Sequence, residues 1–160
     1  MTILQFMDKF HLTNQKKVEE WLQKGLIPGA KLDNETNQWV ISEHTYPPYT
    51  KARAKNADAI YVSIVNACLN QKSVCAKLYH LTEEQFSVYI KTLNAEGLIT
   101  IQNIDGVDYY FATPQSKKYI DDKKGLQKHV KNFIRIASAA TTNISTELLF
   151  EHVGDMLSGA

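Results

Sequence analysis

A chain of 160 residues, 44% of them apolar and 22% charged, has the composition of a folded globular protein rather than a disordered one. It is long enough for one domain or two small ones around a buried core. A formal net charge of +1 excludes a histone-like basic arm, so any nucleic-acid contact must come from a local patch.

Taken in order, Ile3, Leu4, Phe6, Met7 and Phe10 recur at helical spacing and predict a short first helix with one buried face. Thr13 is the expected N-cap of a second helix, where its hydroxyl would accept from an orphaned backbone N–H. Val18, Trp21 and Leu22 form the apolar stripe of that helix and make Trp21 a core residue. Gly25 suits a left-handed stop, and Pro28-Gly29 prevents the helix from resuming. Beside Thr13, this leaves Asn14, Gln15, Lys16 and Lys17 outward at the start of the second helix. Amide and ammonium groups in that position are what a helix-turn-helix presents to a major groove.

Ala30 to Leu32 and Gln38 to Ile41 read as two short strands around the polar cluster Asp33-Asn34-Glu35-Thr36-Asn37. In such a hairpin Lys31, Asn34 and Asn37 are candidates for phosphate or minor-groove contact, with Asp33 and Glu35 opposing them. Tyr46-Pro47-Pro48-Tyr49 must be extended, because each proline disfavours helix in the residue before it. It is expected to pack back on the first unit. Residues 51–56 read as a basic linker, with Lys51, Arg53 and Lys55 available to a DNA backbone. The first 56 residues hold eight Lys/Arg against six Asp/Glu, and the rest ten against eleven.

The run VEEWLQKGLIPGA from Val18 to Ala30, the Trp39-Val40-Ile41 strand and the Pro47-Pro48-Tyr49 exit resemble the excisionase-like and MerR-like winged helix-turn-helix families of bacterial and phage DNA-binding proteins. The resemblance covers roughly the first third of the chain and implies a winged helix-turn-helix over residues 1–50 that binds double-stranded DNA. The segment between Leu12 and Val18 is slightly longer than is usual in those families.

A second unit is expected over residues 57–122. Ala59, Ile60, Val62, Ile64, Val65 and Leu69 suit a helix with Asp58 near its positive end, and Ser73 to Tyr79 a short one. Cys68 and Cys75 are too few for a disulfide scaffold and have no histidine pattern for zinc, so both read as buried thiols. Thr82 followed by Glu83-Glu84-Gln85 is an N-cap signature, Phe86, Tyr89, Ile90 and Leu93 give the stripe, and Gly97 ends the helix. Leu98 to Ile101 and Val107 to Ala112 flank Asp105-Gly106, a hairpin turn signal. Helix, short helix, helix, hairpin is again a winged-helix order, and LNAEGLI resembles the corresponding stretch of bacterial winged-helix regulators. Glu83-Glu84 would repel phosphates, so this unit reads as a packing or protein-contact module. Its aromatics (Tyr79, Phe86, Tyr89, Tyr109, Tyr110, Phe111) read as core.

From Pro114, suited to a first helical turn, helices are expected to the end. In residues 123–160, Leu126, Val130, Phe133 and Ile134 form a stripe expected to pair with a second copy of the chain. The predicted fold class is therefore mainly α with short β-hairpin wings (α+β): two tandem winged helix-turn-helix units followed by C-terminal helices.

No phosphate loop, dinucleotide fingerprint, H-E-x-x-H or G-x-S-x-G motif occurs, and His11, His44, His80, His129 and His152 are scattered. No catalytic residue, metal site or cofactor is expected. No apolar run approaches the roughly 18 residues of a membrane span and no leader precedes the first helix, so a cytoplasmic protein without membrane contact is expected. The functional expectation is a sequence-specific double-stranded DNA-binding protein, a homodimeric transcriptional regulator or an accessory factor of a phage or other mobile element. The alternative is a protein-interaction adaptor that keeps winged-helix architecture without reading DNA.

Overall fold

The computed structural model describes residues 1–52 and 54–123. Arg53 and the tail residues Leu126, Val130, Phe133 and Ile134 lie outside the described residues. The described chain is a mixed α+β fold: helices joined by two small antiparallel two-stranded sheets.

Helix α1, Ile3–Lys9, opens with a capping box in which Thr2 accepts from the Gln5 N–H and the Gln5 side chain accepts from the Thr2 N–H. Helix α2 spans Gln15–Gln23. Its cap is Asn14, whose Oδ1 accepts from the Lys17 N–H at 3.1 Å, and not Thr13 as the sequence suggested. Asparagine is the stronger cap of the two, and the phase that buries Val18 and Leu22 also places Asn14 at the cap. Gly25, at φ +67°, ends the helix. Strands β1, Lys31–Asp33, and β2, Gln38–Val40, pair with Lys31 opposite Val40. The first strand therefore starts one residue later than expected, and Ile41 falls outside the second. Ile41 instead donates its N–H to the Met1 carbonyl at 2.9 Å and is buried with Phe6, Val18, Leu22 and Ile27 in a first apolar cluster.

Helix α3, Ala57–Leu69, is capped by Asn56 and carries Asp58 in its first turn. The stretch after it is a 3₁₀ turn over Ala76–Tyr79, shorter than the helix expected from Ser73, because Ser73 is held extended by a long-range pairing. Helix α4, Glu83–Ala95, has the expected Thr82 capping box. Strands β3, Ile99–Ile104, and β4, Val107–Ala112, meet at Asp105 and Gly106, both at positive φ (52° and 81°), as a tight hairpin turn of matching twist requires. Pro114 and Gln115 form a turn, and helix follows over residues 116–123. The buried Ser116 ties it down by donating Oγ–H to the Leu98 carbonyl at 2.6 Å. Ile60, Ile64, Val65, Phe86, Ile90, Leu93, Ile99 and Ile120 are at the heart of a second, larger cluster.

A seam joins the two clusters. Ser73 donates its N–H to the Pro47 carbonyl and accepts from the Tyr49 N–H, both at 2.9 Å. Its hydroxyl donates to the Tyr46 carbonyl at 2.7 Å. Pro47 and Pro48 have no N–H to offer, so this segment suits a short edge pairing and nothing longer. The Tyr46 ring does lie edge-on to Phe10, at 5.8 Å between centroids, but the backbone that follows belongs to the seam and not to the first unit alone. Thr45, fully buried, donates to the Pro28 carbonyl at 2.9 Å. Within residues 51–56, Ala52 and Ala54 pack on the larger cluster, so this stretch is not a free spacer. No helix among the described residues is long and apolar enough to cross a membrane.

Candidate nucleic-acid interface

The first turn of α2 places Asn14, Gln15, Lys16 and Lys17 in solvent, with Thr13 exposed just before it. Their side chains are not equally free. Asn14 is committed to the cap. Gln15 donates Nε2–H to Glu19 Oε1 at 2.8 Å, one turn along the helix. Both amides that would read a base edge are therefore engaged within α2. Lys16 is exposed with the exposed Glu20 one turn on, a spacing at which opposite charges attract weakly. The Lys17 ammonium sits 5.6 Å from the Trp21 ring centroid, a cation–π arrangement. Trp21 itself is half-buried, packing on the first cluster with one part and lining a cleft with another.

That cleft, about 370 Å³, lies between α2 and α3. Lys17 reaches it from α2, Lys51 from the segment after the seam, and Lys72 from the loop after α3. Trp21, Tyr49, Asn66 and Asn70 line it too, and among the described residues no carboxylate does. Among the described residues the ion pair within 4 Å is Lys123 to Asp58, at 2.6 Å, so none of the three cleft lysines is neutralised by a carboxylate of the described chain. Lys55 is exposed and does not line the cleft.

The hairpin candidates lie elsewhere. Lys31 and Asn34 line a cleft of about 790 Å³ between the two hairpins, together with Asp33, Glu35, Glu43, Asp105 and His44. Hydrogen bonds from the Glu35 backbone N–H and from Thr36 hold the Asp33 carboxyl below its ordinary range. Four carboxylates around one lysine make this region hostile to phosphate. Asn37, at φ +54°, serves the turn with its backbone. The structure thus unites Lys17 with Lys51, leaves Lys16 exposed nearby on α2, and separates them from Lys31, Asn34 and Asn37.

Sequence reasoning missed Lys72, Asn66 and Asn70. Asn66 is a lone polar residue within the apolar α3, Asn70 and Lys72 belong to the polar run after it, and the pairing of Ser73 with Pro47 is what brings that end of α3 beside α2.

The remaining reactive groups are quiet. Burial pushes the Cys68 thiol up to about 12, and burial also raises Cys75, so neither is a ready thiolate. Burial likewise raises the Tyr79 phenol, which shares a 2.9 Å hydrogen bond with Ser63. Among the described residues no group of three His, Cys, Asp or Glu side chains is placed to hold a metal. Comparison with protein-family models, curated proteins and solved structures finds no match to the chain.

Proposed function

We propose that the chain is a cytoplasmic, sequence-specific double-stranded DNA-binding protein built from two tandem winged helix-turn-helix units, with α2 as its reading helix. The observation that carries this reading is the exposed Lys16 and Lys17 on the first turn of α2, with Lys51 across a cleft that no carboxylate of the described residues lines. Helix, helix and hairpin in α1, α2 and β1–β2, and again in α3, α4 and β3–β4, agree with that architecture. A role in transcription or in a mobile element rests on the family resemblance of Val18–Ala30, Trp39–Ile41 and Pro47–Tyr49 alone. The tail stripe is proposed to pair two copies, which sedimentation at micromolar concentration tests. No catalytic step and no cofactor is assigned.

A second reading, a protein-interaction adaptor, is favoured by α4. Its first turn exposes Glu83 and Glu84, and Val88 is 61% exposed one turn further. Selection from a random duplex library, read at two salt concentrations, separates the readings. Enrichment of one sequence, with affinity falling as salt rises, supports DNA binding. Recovery of no duplex above background at either salt favours the adaptor.

A further inference from the structure

The cleft between α2 and α3 has a lysine from each side of the seam, and Lys72 had no role in the expected interface. We infer that this cleft seats the phosphodiester backbone of the bound duplex, so that the second unit joins DNA binding through the loop after α3 and not through α4. This rests on the DNA-binding reading above and adds Lys72 to it.

Three observations carry it. First, Lys17, Lys51 and Lys72 line one cleft, and no carboxylate of the described residues lines it. Like charges so confined repel one another, and a phosphate group between them turns that repulsion into attraction. Second, Lys72 is held by its backbone on both sides. Its own N–H donates to the Ala67 carbonyl at 2.9 Å, and Ser73 next to it is paired with Pro47 and Tyr49. The Lys72 side chain therefore starts from a fixed backbone position at the cleft. Third, the last carbonyls of α3 are satisfied within the chain, which lessens their repulsion of an anion. A helix C-terminus ordinarily repels negative charge through its free carbonyls, but those of Asn66, Ala67 and Cys68 accept from Asn70, Lys72 and Gln71. Asn70 Nδ2 adds a second bond to the Asn66 carbonyl at 2.7 Å. On the cleft wall, Asn66 donates to the Tyr49 hydroxyl at 3.1 Å, which leaves the phenolic proton free to donate to a phosphate oxygen. By contrast, α4 opens with exposed Glu83 and Glu84.

The test measures equilibrium binding of the full chain to its selected duplex over a salt series, for the wild type and for Lys72→Met, Lys72→Arg, Lys16→Ala and Lys91→Ala. Lys72→Met keeps the aliphatic stem, so packing at the half-buried position survives, and circular dichroism checks the fold of each variant. The expected result is weaker binding for Lys72→Met, with the slope of log K against log salt shallower by about 0.9, the loss of one phosphate contact. Lys72→Arg restores the slope, and Lys91→Ala, on α4, matches the wild type. A wild-type slope for Lys72→Met alongside a reduced one for Lys16→Ala overturns the cleft assignment while duplex binding stands. An equal loss in Lys91→Ala also overturns it, because α4 then carries the contact. A wild type that binds no duplex at any salt removes the DNA-binding reading itself.

Discussion

The Tyr109 hydroxyl stands 2.8 Å from the point that a Cβ on Gly29 would occupy. The β4 hairpin strand thus meets the turn after α2 at a position where a side chain is missing. Gly29 is also at φ +73°, so a substitution there meets both steric and backbone strain. Gly29→Ala is expected to lower stability by about 2–3 kcal/mol. Adding Tyr109→Phe removes the clashing oxygen and should recover part of that loss, leaving the cost of the left-handed backbone. A double-mutant cycle by chemical denaturation measures the coupling; additive losses would mean that the two residues do not meet.

Asn14 and Lys16 are adjacent in exposure but opposite in expected effect. Asn14→Ala removes the α2 cap and should cost about 1 kcal/mol of stability, with base preference unchanged. Lys16→Ala should leave the melting temperature alone and weaken duplex binding, more so together with Lys17→Ala, with a flatter salt dependence. Thermal denaturation and duplex titration on the same preparations separate the two. A changed base preference in Asn14→Ala would show that its amide leaves the cap when DNA binds.

Trp21 divides its surface between the first cluster and the lysine cleft. Trp21→Ala should therefore cost roughly 2 kcal/mol, less than a fully buried tryptophan loses on truncation. Trp21→Phe should keep most of the packing. Because Lys17 lies over the indole, the alanine variant should also change duplex affinity beyond its effect on folding. Urea denaturation gives the first quantity, and titration well below the midpoint gives the second.

Stability should fall as pH rises above about 9. Burial raises the Cys68 thiol from 9.0 to about 12 and the Tyr110 phenol from 10.0 to about 12. Burial also moves Cys75, Tyr79 and Tyr119 upward. In that window the unfolded chain loses protons that the folded chain keeps. The linkage slope is then negative, and stability is lost with increasing pH until the folded groups also ionise. Denaturation midpoints between pH 8 and pH 11 check the sign. In the native protein at pH 8, Cys68 should resist a thiol reagent that modifies it at once in urea.

Local chemistry made much of this chain legible. The Thr82 to Gln85 capping box, the Gly25 and Gly97 stops and the Asp105-Gly106 turn each act within a few residues, so composition and spacing suffice to find them. The stripes Val18–Leu22 and Phe86–Ile90–Leu93 were readable for the same reason, since helical period decides which face is buried. Tertiary structure decided the rest. Whether Thr13 or Asn14 caps α2 depends on the helix phase that the first cluster accepts. Whether Tyr46 to Tyr49 serves one unit or joins both depends on Ser73, 27 positions from Tyr46. The charges followed the same rule. Lys31 stands among carboxylates drawn from two hairpins, while Lys17, Lys51 and Lys72 share a cleft that no carboxylate of the described residues lines. A side chain's charge is written in the sequence, but the field it sits in is the sum over neighbours that long-range backbone pairing brings within reach.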